Sequence, residues 1–194
     1  MSSYLKGNIR TKHLLVLLSL LLACTLSMLI ITADNVHADV VDSGNCGDNV
    51  TWVLDDEGTP DTYTLTISGT GAMTEYSGFR NIPWEPYHSK ITKVVIGDGV
   101  TTVCNYAFYQ CSALTDLSLP ASLTAIGQQG FANCGELQEV TLPEGLESIK
   151  ASAFNNCAKL EQVNIPGSLK ELGGSAFRSC AELQGPLDIL AVKP

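Results

Sequence analysis

Between residues 107 and 184 apolar side chains return at a fixed interval. An aromatic ring stands at Phe108, Phe131, Phe154 and Phe177; three residues later come Cys111, Cys134, Cys157 and Cys180; three further on come Leu114, Leu137, Leu160 and Leu183, with a period of 23 at all twelve positions. Each unit continues with an apolar pair separated by one residue (Leu117 and Leu119, Val140 and Leu142, Val163 and Ile165), followed by Pro120, Pro143 and Pro166. Alternation over so short a stretch predicts a brief strand with one inward face, and proline ends its hydrogen bonding. A second pair at three-residue spacing (Leu123 and Ile126, Leu146 and Ile149, Leu169 and Leu172) is expected on a return path across the convex side. The pattern starts one period early, at Ile91, Val94, Ile96, Val100 and Val103, so a partial unit begins near Lys90. At the other end the register slips by one residue, and Leu187 and Ile189 replace the expected pair.

Six large apolar side chains per unit, such as Phe154, Leu160, Val163, Ile165, Leu169 and Leu172, cannot offset the entropy of fixing 23 residues of backbone. One unit should not fold alone. Stacked copies place each Phe, Cys and Leu on its equivalent in the next coil, and the result is a solenoid with parallel strands about 4.8 Å apart. The spacing Leu-x-x-Leu-x-Leu at 114–119, varied at 137 and 160, is that of a leucine-rich repeat core. The stretch 107–127, "AFYQCSALTDLSLPASLTAIG", closely resembles the BspA-like, Treponema-type leucine-rich repeats of bacterial surface proteins. The resemblance implies an α/β-type leucine-rich repeat solenoid on a secreted or surface-exposed protein, in a family some of whose members are implicated in adhesion to host matrix or other cells. The matching residues are scaffold, so no functional residue is carried over. Lys150 and Cys104 depart from the pattern where Gly127 and Gly173 stand, which affects the turns there and not the fold.

Residues 39–89 do not repeat. "NVTWVLD" (49–55) and "TYTLTIS" (62–68) alternate apolar and polar residues around "DEGTP", which predicts a hairpin. "SGTGAM" and "NIPWEPY" read as turns and loop, with Trp52, Trp84 and Tyr87 as bulky apolar cover. A solenoid end exposes its core, so this block is expected to be an N-terminal β-hairpin cap. The resulting division is 1–38, 39–89 as cap, and 90–194 as a solenoid of about four to five coils.

Leu14 to Ile31 form an apolar or weakly polar run preceded by Lys6, Arg10 and Lys12, which reads as an export signal. The tripeptide Val36, His37, Ala38 supplies small residues at the two inspected positions, giving cleavage after Ala38. An uncleaved membrane span and a lipoprotein site at Cys24 are the alternatives. All three place residues 39–194 outside the cytoplasm, with membrane contact only through the N-terminal segment. The whole chain has 11 basic and 20 acidic residues, and removing the leader leaves 8 and 19, a net charge of −11. Such a surface argues against nucleic acid and against anionic lipid as partners.

The repeat cysteines, one per coil, are expected to form a column of small apolar thiols, with Cβ directions unsuited to disulfides or zinc. Cys46 and Cys104 lie outside the column, in or beside the cap. In an oxidising compartment they are a candidate disulfide joining cap to first coil. Without the leader His88 is the sole histidine, too few for a triad or a histidine metal site, and "DDEG" at 55–58 lacks the alternation of a calcium loop. No catalytic residue, metal site or cofactor is expected. What remains is a concave face, where Lys93, Asp116, Glu139 and Gln162 form one outward column and Val95, Ser118, Thr141 and Asn164 another. The expected function is recognition of a protein or glycan ligand at a cell surface. The alternatives are a structural spacer and, more remotely, a glycan-active enzyme using acidic residues of the cap.

Overall fold

A computed structural model describes residues 39–56, 58–59 and 61–184; the apolar run 14–31, the expected cleavage position after Ala38, the alternative lipoprotein position Cys24 and the slipped pair Leu187 and Ile189 lie outside them. In chain order the strands are β1 (Val40–Gly47), β2 (Val50–Asp55), β3 (Tyr63–Gly69), β4 (Gly71–Ala72), β5 (Ile91–Ile96), β6 (Val100–Val103), β7 (Asp116–Ser118), β8 (Ala125–Ile126), β9 (Glu139–Val140), β10 (Ser148–Ile149), β11 (Gln162–Val163) and β12 (Glu171–Leu172). Helix among the described residues is limited to two 3-10 segments, Phe79–Asn81 and Glu85–Lys90, and none is long and apolar enough to cross a membrane.

One sheet runs β1-β2-β3-β5-β7 and a second runs β4-β6-β8-β10-β12, with β9 and β11 pairing separately. The hairpin expected at the N-terminus is β2 and β3, antiparallel, with Val50, Trp52 and Leu54 of β2 facing Leu65 and Ile67 of β3 into the core. Its second strand then continues the solenoid: β3 pairs parallel with β5, Leu65 beside Val94 and Ile67 beside Ile96. The cap is therefore the first rung of the concave sheet. β1 adds antiparallel to β2 through its backbone, with register shifts at both ends. Val40 and Val41 are exposed and Cys46 is the residue of β1 that reaches the core, so it has no alternation to announce it.

On the return side each coil forms a second short strand, in a register of one period: Thr102, Ala125, Ser148 and Glu171 pair in turn, followed by Val103, Ile126, Ile149 and Leu172. In β8, β10 and β12, each two residues long, the sequence pattern gives only the inward residue. The third side, around the aromatic and the cysteine, is also laddered. Phe108 N–H donates to Gly130 O (2.7 Å), Phe131 N–H to Ala153 O (2.8 Å) and Phe154 N–H to Ala176 O (2.8 Å). Turning there requires two left-handed residues per coil, Tyr106, Gln129, Ser152 and Ser175 in one column and Gln110, Asn133, Asn156 and Ser179 in the other, all with φ between 53 and 64°. Asn is at home in this conformation, and Asn156 Nδ2 donates to Asn133 Oδ1 at 2.8 Å.

Inside, the aromatic rings stack face to face: Phe108 on Phe131 at 4.9 Å and 16°, Phe131 on Phe154 at 5.2 Å and 6°, Phe154 on Phe177 at 5.3 Å and 3°. Trp84, fully buried, stands one coil earlier in the same column, 5.9 Å from Phe108 and 24° from coplanar. It is the first rung of the ladder rather than cover. The departure at Lys150 also has a local account. Gly127 and Gly173 sit where backbones of adjacent coils approach, so that a Cβ would stand 2.6 Å from Asn105 N and 2.3 Å from Ala151 N respectively. Lys150, between them, is exposed and directs its ammonium to Glu171 Oε2 at 2.6 Å.

Candidate functional site

β5, β7, β9 and β11 bring the predicted outward columns onto one concave face. Asp116, Ser118, Glu139, Thr141 and Gln162 are exposed, and Lys93 and Val95 are half-buried. Lys93 Nζ lies 3.5 Å from Asp116 Oδ2, a screened surface pair of small energetic weight. Asn164 departs from the expectation of a ligand-contacting residue. Its Oδ1 accepts Leu142 N–H at 2.8 Å and its Nδ2 donates to Leu142 O at 2.9 Å. One side chain thus replaces a strand pairing with the neighbouring coil, because β9 and β11 are only two residues long and leave the Leu142 backbone otherwise unladdered.

A shallow cleft of about 200 Å³ opens on Thr115, Gln138, Glu139, Glu161 and Gln162. Thr115, Gln138 and Glu161 form a third column that alternation did not reveal, since they sit at the strand entrances, before the two-residue period begins. Their own 23-residue recurrence after Thr92, polar in every copy, is the signal that identifies them. They are set by inter-coil bonds: Thr115 N–H donates to Thr92 O at 2.9 Å and Glu161 N–H to Gln138 O at 2.8 Å. Lysines elsewhere are taken up by neighbours. Lys159 pairs with Glu136 at 2.6 Å, Lys170 with Glu147 at 2.7 Å, and Lys90 with Asp61. The concave face keeps Asp116, Glu139 and Glu161 against Lys93, an acidic surface.

The repeat thiols are free. Cys111, Cys134 and Cys157 are fully buried and Cys180 is half-buried. They are not merely apolar: the Sγ–H groups of Cys134, Cys157 and Cys180 donate to the carbonyls of Phe108, Phe131 and Phe154 at 3.3, 3.2 and 3.2 Å. Cys46 and Cys104, the candidate pair, are both free, buried thiols. Cys46 lies on β1 of the first sheet, whereas Cys104 follows β6 of the second. Even so, Thr74, just past β4 of the second sheet, donates its N–H to Cys46 O at 2.7 Å, and Cys46 adds to the raised pKa of Cys104, so the two thiols are neighbours in the core without being joined. Burial pushes the Cys46 thiol up to about 12 and raises Cys104 and Cys111 as well. Tyr76, which feels both Cys46 and Cys104, is pushed up to about 12, first by burial.

These groups keep their protons in the folded chain and release them at ordinary values once unfolded, 9.0 for a thiol. Their contribution to stability is complete below that value and is lost as pH rises towards about 12. The urea midpoint is accordingly expected to fall between about pH 7 and about pH 10. Iodoacetamide should leave Cys46, Cys104, Cys111, Cys134 and Cys157 unmodified until urea is added. Alkylation of these thiols in the native chain, or a midpoint that does not move, would show them solvated.

Other candidate chemistry disperses. Asp56 Oδ1 accepts Gly58 N–H at 2.9 Å and Asp39 N–H at 3.1 Å, which lowers its pKa and makes it a turn carboxylate of the β2–β3 hairpin. His88 Nδ1 contacts Glu85 O within its own 3-10 segment. Among the described residues no group of His, Cys, Asp and Glu is arranged to hold a metal ion.

Parallel strands recurring every 23 residues, a stacked aromatic core and an outward-facing polar sheet define a leucine-rich repeat solenoid. Residues 87–186 match the BspA type Leucine rich repeat region in six copies, and the chain belongs to that family. Solved structures similar to it include a leucine-rich repeat protein from Eubacterium ventriosum (29% identity, TM-score 0.61, covering 71% of this chain and 35% of that one). A leucine-rich repeat protein of T. pallidum is 31% identical with a TM-score of 0.50, covering 64% of each chain. A leucine rich cell surface protein from Faecalibacterium prausnitzii is 27% identical with a TM-score of 0.52, covering 72% of this chain and 38% of that one. The chain thus spans little more than a third of the Eubacterium and Faecalibacterium proteins. A search of curated proteins returns no match.

Proposed function

We propose that this chain is an extracytoplasmic recognition module, exported through residues 1–38, whose concave face binds a protein or glycan ligand in adhesion at a cell surface. The observation that carries this reading is the convergence of two polar columns on successive coils around the cleft at Thr115, Gln138, Glu139, Glu161 and Gln162. Asp116, Glu139 and Glu161 favour a ligand presenting cationic or hydroxyl groups, and the shallow cleft suits weak binding made effective by multivalency. Kinship with a leucine rich cell surface protein supports the location. The spacer reading draws on a different observation, that Lys93 and Asn164 are engaged within the fold.

The test is capture of host matrix proteins, mucins and bacterial glycans by the chain displayed on beads. Selective capture that weakens with salt and falls about tenfold in an Asp116→Asn, Glu139→Gln double variant, with melting unchanged, is the expected result. No capture by the folded chain at high valency would support the spacer.

A further inference from the structure

We propose a second binding site, separate from the concave face: an aromatic platform at the junction of cap and first coil that takes an uncharged pyranose sugar of a glycan chain. Phe79, from the segment after the cap strands, and Tyr106 and Tyr109, from the first coil, are each half-buried. Phe79 and Tyr109 rings meet at 5.2 Å and 49°, Tyr106 and Tyr109 at 6.1 Å and 82°. The Arg80 guanidinium carbon stands 5.6 Å over the Phe79 ring. Glu85 and His88 flank the same depression.

The repeat does not require these aromatics. Where the first coil has Tyr106 the next three carry Gln129, Ser152 and Ser175, and where it has Tyr109 they carry Ala132, Asn155 and Arg178. A seal between cap and coil accounts for Tyr109, which packs on Phe79. It does not account for Tyr106, whose ring contact is with Tyr109 of its own coil and whose backbone is left-handed, φ 61°, a conformation costly for a bulky residue. The left-handed turn itself recurs at Gln129, Ser152 and Ser175, so the bulky ring, and not the turn, is what sets the first coil apart.

The chemistry selects the occupant. One face of a pyranose ring is a patch of C–H bonds attracted to the electron-rich face of an aromatic ring, and its edge is a ring of hydroxyls suited to Arg80, Glu85 and His88. The depression holds about 10 Å³, too little to enclose a ligand, so the sugar lies across a surface as a unit of a longer chain. The acidic surface, with a net charge of −9 for the whole chain, disfavours anionic sugars.

Affinity electrophoresis of the full chain through gels containing a soluble β-glucan, a galactomannan or starch tests this directly. At least one polysaccharide should retard the wild-type chain. Tyr106→Ser, which installs the residue of later coils, should weaken retardation about tenfold, while the Asp116→Asn, Glu139→Gln variant should leave it unchanged. Should Tyr106→Ser fail to fold, the wild-type chain decides the matter by NMR: the ring resonances of Tyr106 and Tyr109 must shift on adding the same polysaccharides. The proposal is overturned if none of the three retards the folded chain, if Tyr106→Ser is retarded like wild type, if the tyrosine resonances stay fixed, or if the concave-face variant abolishes retardation instead. Displacement of those tyrosine resonances by a proline-rich peptide but by no polysaccharide would assign the platform to a protein partner and equally overturn it. The concave face can fail its own test without affecting any of these results.

Discussion

Phe154→Ala is expected to lower stability by about 3–5 kcal/mol, with a drop in melting temperature of roughly 10 °C. Phe154 is completely buried, and its ring lies 5.2 Å from Phe131 on one side and 5.3 Å from Phe177 on the other, nearly coplanar with both. Truncation therefore removes two ring contacts at once and opens a cavity that neither coil can fill, because their backbones are tied by Phe131 N–H to Ala153 O and Phe154 N–H to Ala176 O, both at 2.8 Å. In a solenoid, stability resides largely in interfaces between neighbouring coils, and this substitution damages two of them. Phe154→Leu, which keeps most of the volume, should recover more than half of the loss. Urea unfolding of the three proteins measures both effects. A loss under about 1 kcal/mol for Phe154→Ala would mean that the ring column is incidental and that the backbone ladders hold the coils together.

The parts of this fold that the sequence announces are those in which a side chain repeats an inward position. Phe108, Cys111 and Leu114 and their successors are legible because burial admits few residue types. The hairpin is legible because Trp52, Leu54, Leu65 and Ile67 alternate. β1 escapes notice since it is held by backbone pairing to β2 with Cys46 as its core contact, and backbone pairing leaves no mark on residue type. The return strands are similarly silent, being two residues long with one inward side chain each. At the candidate site, outward positions on the strands follow from their inward neighbours, and Asp116, Glu139 and Gln162 stand exposed on β7, β9 and β11. What each does there does not follow. Asn164 carries the same kind of side chain as a ligand-binding residue, yet spends its amide on the Leu142 backbone. Nothing short of the three-dimensional register distinguishes the two uses.

Trp84 joins the cap to the repeats through two separable interactions, and its variants should separate them. The ring continues the phenylalanine column, 5.9 Å from Phe108, and meets Trp52 of β2 edge-on at 5.6 Å and 62°. The indole N–H donates to Ala107 O at 2.7 Å, within the core. Trp84→Phe retains a ring at the top of the column but leaves a buried carbonyl without that donor, a loss of about 1–3 kcal/mol. Trp84→Ala loses the donor and the packing together, about 3–5 kcal/mol. The more telling difference lies in cooperativity. β3 and β5 still pair in both variants, but without a ring between Trp52 and Phe108 the core contact from β2 to the first coil is cut. Trp84→Ala should therefore unfold with a reduced urea dependence, the cap melting before the coils, whereas Trp84→Phe keeps a single transition with the wild-type slope. Fluorescence of Trp52 in the Trp84 variants reports on the cap, and far-ultraviolet circular dichroism on the whole chain. Coincident transitions by both probes in Trp84→Ala would show that the shared sheet, not the aromatic column, couples the cap to the solenoid.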